Sequence, residues 1–112
     1  MKINHLNLTV TDVPATQRFL ETYFGLTCKS SKGKGFAVML DSDDFVLTLM
    51  KGNEVHYPKT FHIGFSQKSE EEVNKINQSL KEGGFNVEPP KHLHRYTFYV
   101  ESPGGFPIEV FY

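Results

Sequence analysis

Two histidines and one glutamate carry the chemistry that this sequence offers. His62 lies in Phe61-His62-Ile63-Gly64-Phe65, where three apolar side chains alternate with His62 and Gly64. A period of two is that of a strand with one apolar face and one face left for something else. His5 lies in a second such stretch, with Leu6, Leu8 and Val10 on one face and His5, Asn7 and Thr9 on the other. Glu109 is in a third, between Ile108 and Val110. A carboxylate in an apolar strand is costly to bury unpaired, and a nearby cation removes that cost. Two histidines plus one carboxylate match the ligand set of a divalent metal site with open positions. Taken singly, a strand histidine is usually a satisfied core residue and a glutamate a solvated charge. The agreement of all three in face and repeat position ranks metal binding above that reading.

The elements that position them form a repeat. His5 stands seven residues before Asp12, and His62 seven before Ser69. Asp12 and Ser69 are good helix N-caps, each followed by a helical pattern. Pro14 suits the first turn of the first helix, Phe19, Leu20, Tyr23 and Phe24 form its stripe, and Gly25 ends it. Strands are expected over 27–31, 36–40 and 45–50. In the second copy Ser69-Glu70-Glu71-Glu72 has a capping-box pattern, Val73, Ile76 and Leu80 form the stripe, and Gly83-Gly84 terminates the helix. A short edge segment is expected near Val87, before Pro89-Pro90, and then strands over 96–101 and 106–112. The order is β-α-β-β-β twice, an α+β fold in one domain, 1–112. Module one is 1–52, a polar connector 53–59 and module two 60–112. Thr48 stands in module one where Glu109 stands in module two.

Composition limits the function classes. The 112 residues include ten Phe and five Tyr, which fits one globular domain. A net charge of −1 gives no strong pull toward nucleic acid or an anionic membrane. No apolar run approaches the ~20 residues of a membrane span. Cys28 is the single cysteine, so no intrachain disulfide forms and a reducing compartment fits best. Met1-Lys2 runs straight into a half-polar strand without a targeting pattern. A cytoplasmic protein is expected.

Four stretches carry a resemblance: Ile3-Asn4-His5-Leu6, Phe24-Gly25-Leu26 at a helix end, Phe61-His62-Ile63-Gly64-Phe65, and Val100 through Val110 with its Ser102-Pro103-Gly104-Gly105 turn. In this order and spacing the chain resembles the vicinal oxygen chelate superfamily. That group includes glyoxalase I, fosfomycin- and bleomycin-resistance proteins and ring-cleaving dioxygenases. The resemblance covers the whole chain and singles out no one activity. It implies paired βαβββ modules forming a curved mixed eight-stranded sheet around a metal, with His5, His62 and Glu109 as ligands. It also implies a homodimer in which His5 comes from one chain and His62 with Glu109 from the other, in keeping with the commonest oligomer symmetry. Thr48 replaces the carboxylate of four-ligand glyoxalase I, which argues against that activity. The Ser102 turn replaces the more usual Asp-Pro-Asp-Gly.

Asn7, Thr48, Thr97, Tyr99 and Phe111 share faces with these residues and are weaker candidates for a substrate cavity; aromatic core is at least as good an account of Tyr99 and Phe111. His92, His94 and Arg95 form a small basic cluster, suited to an anionic substrate or, more simply, to a solvated loop. Two function classes follow. One is a metal-dependent enzyme, with Glu109 as catalytic carboxylate, acting on a small oxygen-bearing substrate by lyase, transferase or dioxygenase chemistry. The other is a metal-free protein that sequesters a drug-like molecule. Iron, manganese, nickel and zinc are not distinguished by this ligand set.

Overall fold

Alternation in the first stretch sets the first sheet. In the computed structural model, which describes residues 1–112, β1 (His5–Val10) buries Leu8 and Val10 while His5, Asn7 and Thr9 face away. Asp12 caps α1 (Val13–Phe24) by accepting the Ala15 N–H, with Pro14 in the first turn. Gly25 closes α1 at φ 71°, a left-handed conformation that glycine adopts without steric cost. β2 (Thr27–Lys32), β3 (Phe36–Leu40) and β4 (Val46–Lys51) complete the order β1-β4-β3-β2. β1 runs parallel to β4, and Asn7 pairs with Thr48. Leu8, Val10, Ala37, Met39, Leu47 and Leu49 are buried from the sheet, and Val13, Thr16, Phe19 and Leu20 from α1.

The second half repeats the plan. β5 (Ile63–Ser66), α2 (Glu70–Glu82), β6 (Lys91–His92), β7 (Tyr96–Glu101) and β8 (Pro107–Phe111) give the order β5-β8-β7-β6. Ser69 caps α2 and accepts the Glu72 N–H. β5 runs parallel to β8, and Gly64 pairs with Glu109. The eight strands therefore lie in two four-stranded mixed sheets, one per module, rather than in a single ladder of eight.

The chain divides into two compact units. One is Met1–Tyr57 with Pro103–Gly105; the other is Pro58–Ser102 with Phe106–Tyr112. In the first, the Thr11 amide donates to the Gly104 carbonyl and the Thr11 hydroxyl to the Pro103 carbonyl. The Tyr57 hydroxyl accepts from the Thr9 amide and donates to the Thr9 carbonyl, capping part of the free edge of β1.

Three local expectations change. β6 lies after Pro89-Pro90 rather than near Val87, because Lys91 and His92 pair with Thr97 and Tyr96. His62 lies one residue before β5. The α2 stripe keeps a half-buried Ile76 and adds a buried Asn77; the Asn77 side-chain amide donates to the Glu88 carbonyl at 2.9 Å, which meets the hydrogen-bonding demand of a buried amide.

Candidate functional site

The first unit presents a neutral polar chain. Thr48, on β4, is buried beside Asn7 of β1 and donates its hydroxyl proton to Asn7 Oδ1 at 2.6 Å. That hydroxyl has a single proton, so toward His5 it accepts. His5 Nε2, 3.2 Å away, is then the donor, and a neutral His5 keeps its lone pair on Nδ1. His5, Asn7 and Thr48 are brought together as expected from their shared face.

The second unit presents a charged site. Glu109 is 1% exposed, in β8 between the buried Ile108 and Val110. Its oxygens are ringed by donors. Thr97 of β7 donates its hydroxyl to Oε2 at 2.8 Å, Arg95 Nη2 is 3.4 Å from Oε1, and His94 Nε2 is 3.5 Å from Oε2. His62 Nε2 is 3.4 Å from Oε1. Tyr99, paired with Glu109 across β7 and β8, offers its hydroxyl and sets its ring edge-on to His62 at 5.5 Å.

Burial alone would push the Glu109 carboxyl up. The Thr97 hydrogen bond, the Arg95 guanidinium, His62 and the Tyr99 hydroxyl together outweigh it and hold the group below its ordinary value. Partial burial, then the charge of Glu109, raises the Tyr99 hydroxyl, so Tyr99 stays protonated.

His62 is the informative side chain. Its Nδ1 lies 3.0 Å from the Thr60 carbonyl, which can only accept, so Nδ1 carries a proton. In the neutral ring the lone pair is then on Nε2, the atom facing Glu109. A lone pair opposed to a carboxylate oxygen is repulsive unless a proton or a metal cation lies between them. This nitrogen–oxygen pair, its imidazole oriented by a backbone carbonyl, is the arrangement that histidine metal ligands use. The donors present therefore fit a divalent ion. Within the chain, no group of three or more His, Cys, Asp or Glu side chains is gathered to hold one.

The remaining candidates fall around Glu109. Phe111 pairs with Thr97 and carries the Arg95 guanidinium 3.7 Å above its ring centroid. Gly64 makes room for that ring: a Cβ there would stand 2.9 Å from Phe111 Cε1. Thr97 and Tyr99 also line an open cleft of about 320 Å³ together with Asn86, Glu88, Pro89 and Leu93. The basic cluster divides. His92 turns away, with Nε2 3.6 Å from a Glu70 carboxylate oxygen and its ring tilted against Tyr96. His94 and Arg95 turn to Glu109, which the solvated-loop reading missed. The available signal was their position just before β7, whose partner β8 carries Glu109. No helix is long and apolar enough to cross a membrane.

Comparison with known proteins agrees with this architecture. The profile of the Glyoxalase/Bleomycin resistance protein/Dioxygenase superfamily matches residues 2–110. A solved structure described as a possible glyoxalase from Bacillus cereus is 69% identical, covers 100% of this chain and 99% of its own, and superposes with a TM-score of 0.97. A single-substitution mutant of the fosfomycin resistance protein FosX from Listeria monocytogenes, solved with Mn(II) and 1S,2S-dihydroxypropylphosphonic acid, is 22% identical. That match covers 98% of this chain and 90% of FosX, with a TM-score of 0.84. Lactoylglutathione lyase from Agrobacterium tumefaciens is 18% identical over 98% of this chain and 92% of its own, with a TM-score of 0.78. These last two share the fold. No curated protein sequence gave a match. With the repeated βαβββ order, the register that sets Gly64 against Glu109, and a family profile spanning nearly every residue, the chain belongs to the glyoxalase/bleomycin resistance protein/dioxygenase superfamily.

Proposed function

We propose that this protein is a metal-dependent enzyme of the superfamily that acts on a small oxygen-bearing substrate. His62 and Glu109 of one chain and His5 of a second copy hold the ion, and Glu109 is the catalytic carboxylate. The observation that carries the reading is His62, with Nδ1 committed to the Thr60 carbonyl and Nε2 at 3.4 Å from a buried carboxylate oxygen. FosX, solved with Mn(II), supports a divalent ion on this fold. When bound, the ion supplies Lewis acidity that stabilises negative charge developing on a substrate oxygen. Thr97 and Tyr99 orient the Glu109 carboxylate, and its depressed pKa keeps it ionised as ligand or proton acceptor near neutral pH. Lyase, transferase and dioxygenase chemistries all use such a site.

Elemental analysis of protein purified without chelators tests this. About one metal per chain is expected, lost in His62→Ala. Equal metal content in wild type and in a triple His5, His62, Glu109 alanine variant overturns it. Mixing His5→Ala with His62→Ala protein should restore metal binding in the heterodimer. A monomer by light scattering at micromolar concentration overturns the shared site.

One observation favours the alternative, a metal-free protein that binds a drug-like molecule. Glu109 already has partners without a metal, in Thr97 and Arg95. Wild-type protein free of metal that still binds an aromatic ligand would decide for it.

A further inference from the structure

Arg95 reaches the buried carboxylate of Glu109 but holds it loosely. Nη2 is 3.4 Å from Glu109 Oε1, against about 2.7–2.9 Å for a tight charge-assisted bond. This is the one hydrogen bond its side chain makes, so most of the five N–H donors of a guanidinium remain open. What places the group is the Phe111 ring, 3.7 Å below it, and that ring occupies the space Gly64 leaves. The backbone at Arg95 is fixed. Its carbonyl accepts from the Leu93 amide, and next to it Tyr96 and Tyr112 exchange both backbone hydrogen bonds. A firmly placed guanidinium, 40% exposed and with open donors, is built for a second partner.

Charge says when that partner is needed. Glu109 faces Arg95, His62 and His94 at once. When a divalent cation takes the carboxylate, Arg95 loses its counter-ion and gains a doubly charged neighbour. Two cations so close repel unless another anion joins them.

We propose that Arg95 is the anion-binding residue of this site, paired with Glu109 in the metal-free protein and with a carboxylate or phosphate-type group of the substrate once metal is bound. The inference rests on the metal role proposed for His62 and Glu109 and names the substrate class that role serves. The planar guanidinium suits an oxyanion because two parallel N–H groups meet two oxygens. Metal and anion then favour each other's binding, and by linkage the coupling is reciprocal.

The test is a Mn²⁺ titration, read by the electron paramagnetic resonance signal of the free aqua ion against protein-free blanks. Wild type, Arg95→Gln and Arg95→Lys are each titrated alone, with inorganic phosphate and with acetate; the two anions separate phosphate-type from carboxylate recognition. In wild type the preferred anion should tighten Mn²⁺ binding by about fivefold or more. Arg95→Gln should bind Mn²⁺ more tightly than wild type without anion, because Glu109 is freed, and should lose the anion effect. Arg95→Lys keeps the charge without the stacked fork and should lie between the two; it also carries the test if Arg95→Gln does not fold. Wild type indifferent to both anions, or Arg95→Gln retaining the anion effect, overturns the proposal. Mn²⁺ binding that His62→Ala abolishes but Arg95 does not influence overturns this inference alone. Absence of Mn²⁺ binding in wild type overturns it together with the metal reading.

Discussion

The polar faces of the two units share a register and differ in charge. In the first, Asn7 of β1 stands opposite Thr48 of β4; in the second, Gly64 of β5 stands opposite Glu109 of β8. His5 and His62 each lie two residues before the first member of the pair. Where the first unit has Thr48, the result is a neutral chain from His5 through the hydroxyl to Asn7. Where the second has Glu109, the result is a buried charge that gathers His62, His94, Arg95 and Thr97. Asn7 fills its place with a hydrogen-bonding amide. Gly64 leaves its place empty, and Phe111 with Arg95 occupies the space. A duplicated topology thus supplies equivalent positions, and one residue at each decides whether the position holds a neutral hydrogen-bonded chain or a buried charge.

The largest effect should come from making the second unit like the first. Glu109→Thr removes the only carboxylate that His62, His94 and Arg95 face. Metal content should fall to background by elemental analysis, and stability by about 1–3 kcal/mol in urea titration. An unchanged metal content would mean that the charge difference between the units is not what binds the ion.

The converse change is the next largest. Thr48→Glu buries a carboxylate in a place where His5 is the basic group within hydrogen-bonding distance. A cost of about 2 kcal/mol is expected in the metal-free protein. The same change bears on glyoxalase I chemistry. Isomerising a hemithioacetal needs bases on both faces of the substrate, and a threonine hydroxyl is not a base near neutral pH. A missing positioned base costs about 10²–10⁴-fold. Wild type loaded with nickel, zinc, cobalt or iron should therefore stay below a kcat/KM of about 10⁵ per molar per second on the methylglyoxal–glutathione hemithioacetal. Thr48→Glu should raise it. Efficient turnover by wild type would remove Thr48 as the handicap.

Acidification separates the units more gently. Glu109 is held below its ordinary value, because its partners outweigh the upward push of burial. A carboxylate depressed in the folded state contributes stability that is fully present above its unfolded pKa and is lost as pH falls through the folded one. Wild type should lose stability below about pH 4.5 more steeply than Glu109→Gln, with the difference vanishing toward neutral pH apart from a constant offset. Parallel profiles from chemical denaturation at stepped pH would show that Glu109 is not under this influence.

Gly64→Ala should have the smallest effect. The added methyl meets the Phe111 ring edge, which must shift by a few tenths of an ångström and carry Arg95 with it. A loss of about 1 kcal/mol is expected, and Asn7→Ala, which removes a side chain rather than adding one, should leave the Phe111 resonances unmoved. Unshifted Phe111 ring signals in Gly64→Ala would break the contrast drawn between the two positions.

Much of this was legible in the sequence because it is periodic. Alternation of Leu8 and Val10 with His5, Asn7 and Thr9 defined a face, and Asp12 and Ser69 marked helix starts through chemistry local to the chain. The equivalence of Thr48 and Glu109 followed from the repeat, and the register bears it out. β6 was misplaced because two residues carry no periodicity, and its pairing with Thr97 and Tyr96 is decided across the hairpin rather than along it. Asn77 was missed because an amide in an apolar stripe reads as an interruption until the Glu88 carbonyl is brought to it. The division of His92 from His94 and Arg95 was likewise invisible. Three neighbouring basic residues look alike in a sequence, and only the fold places Glu70 of α2 beside one and Glu109 of β8 beside the others. Residue type and spacing determined which atoms were available for chemistry and which face they shared. The tertiary structure decided their partners, because ion pairing and pKa depend on distances of a few ångströms between strands that the chain brings together only when it folds.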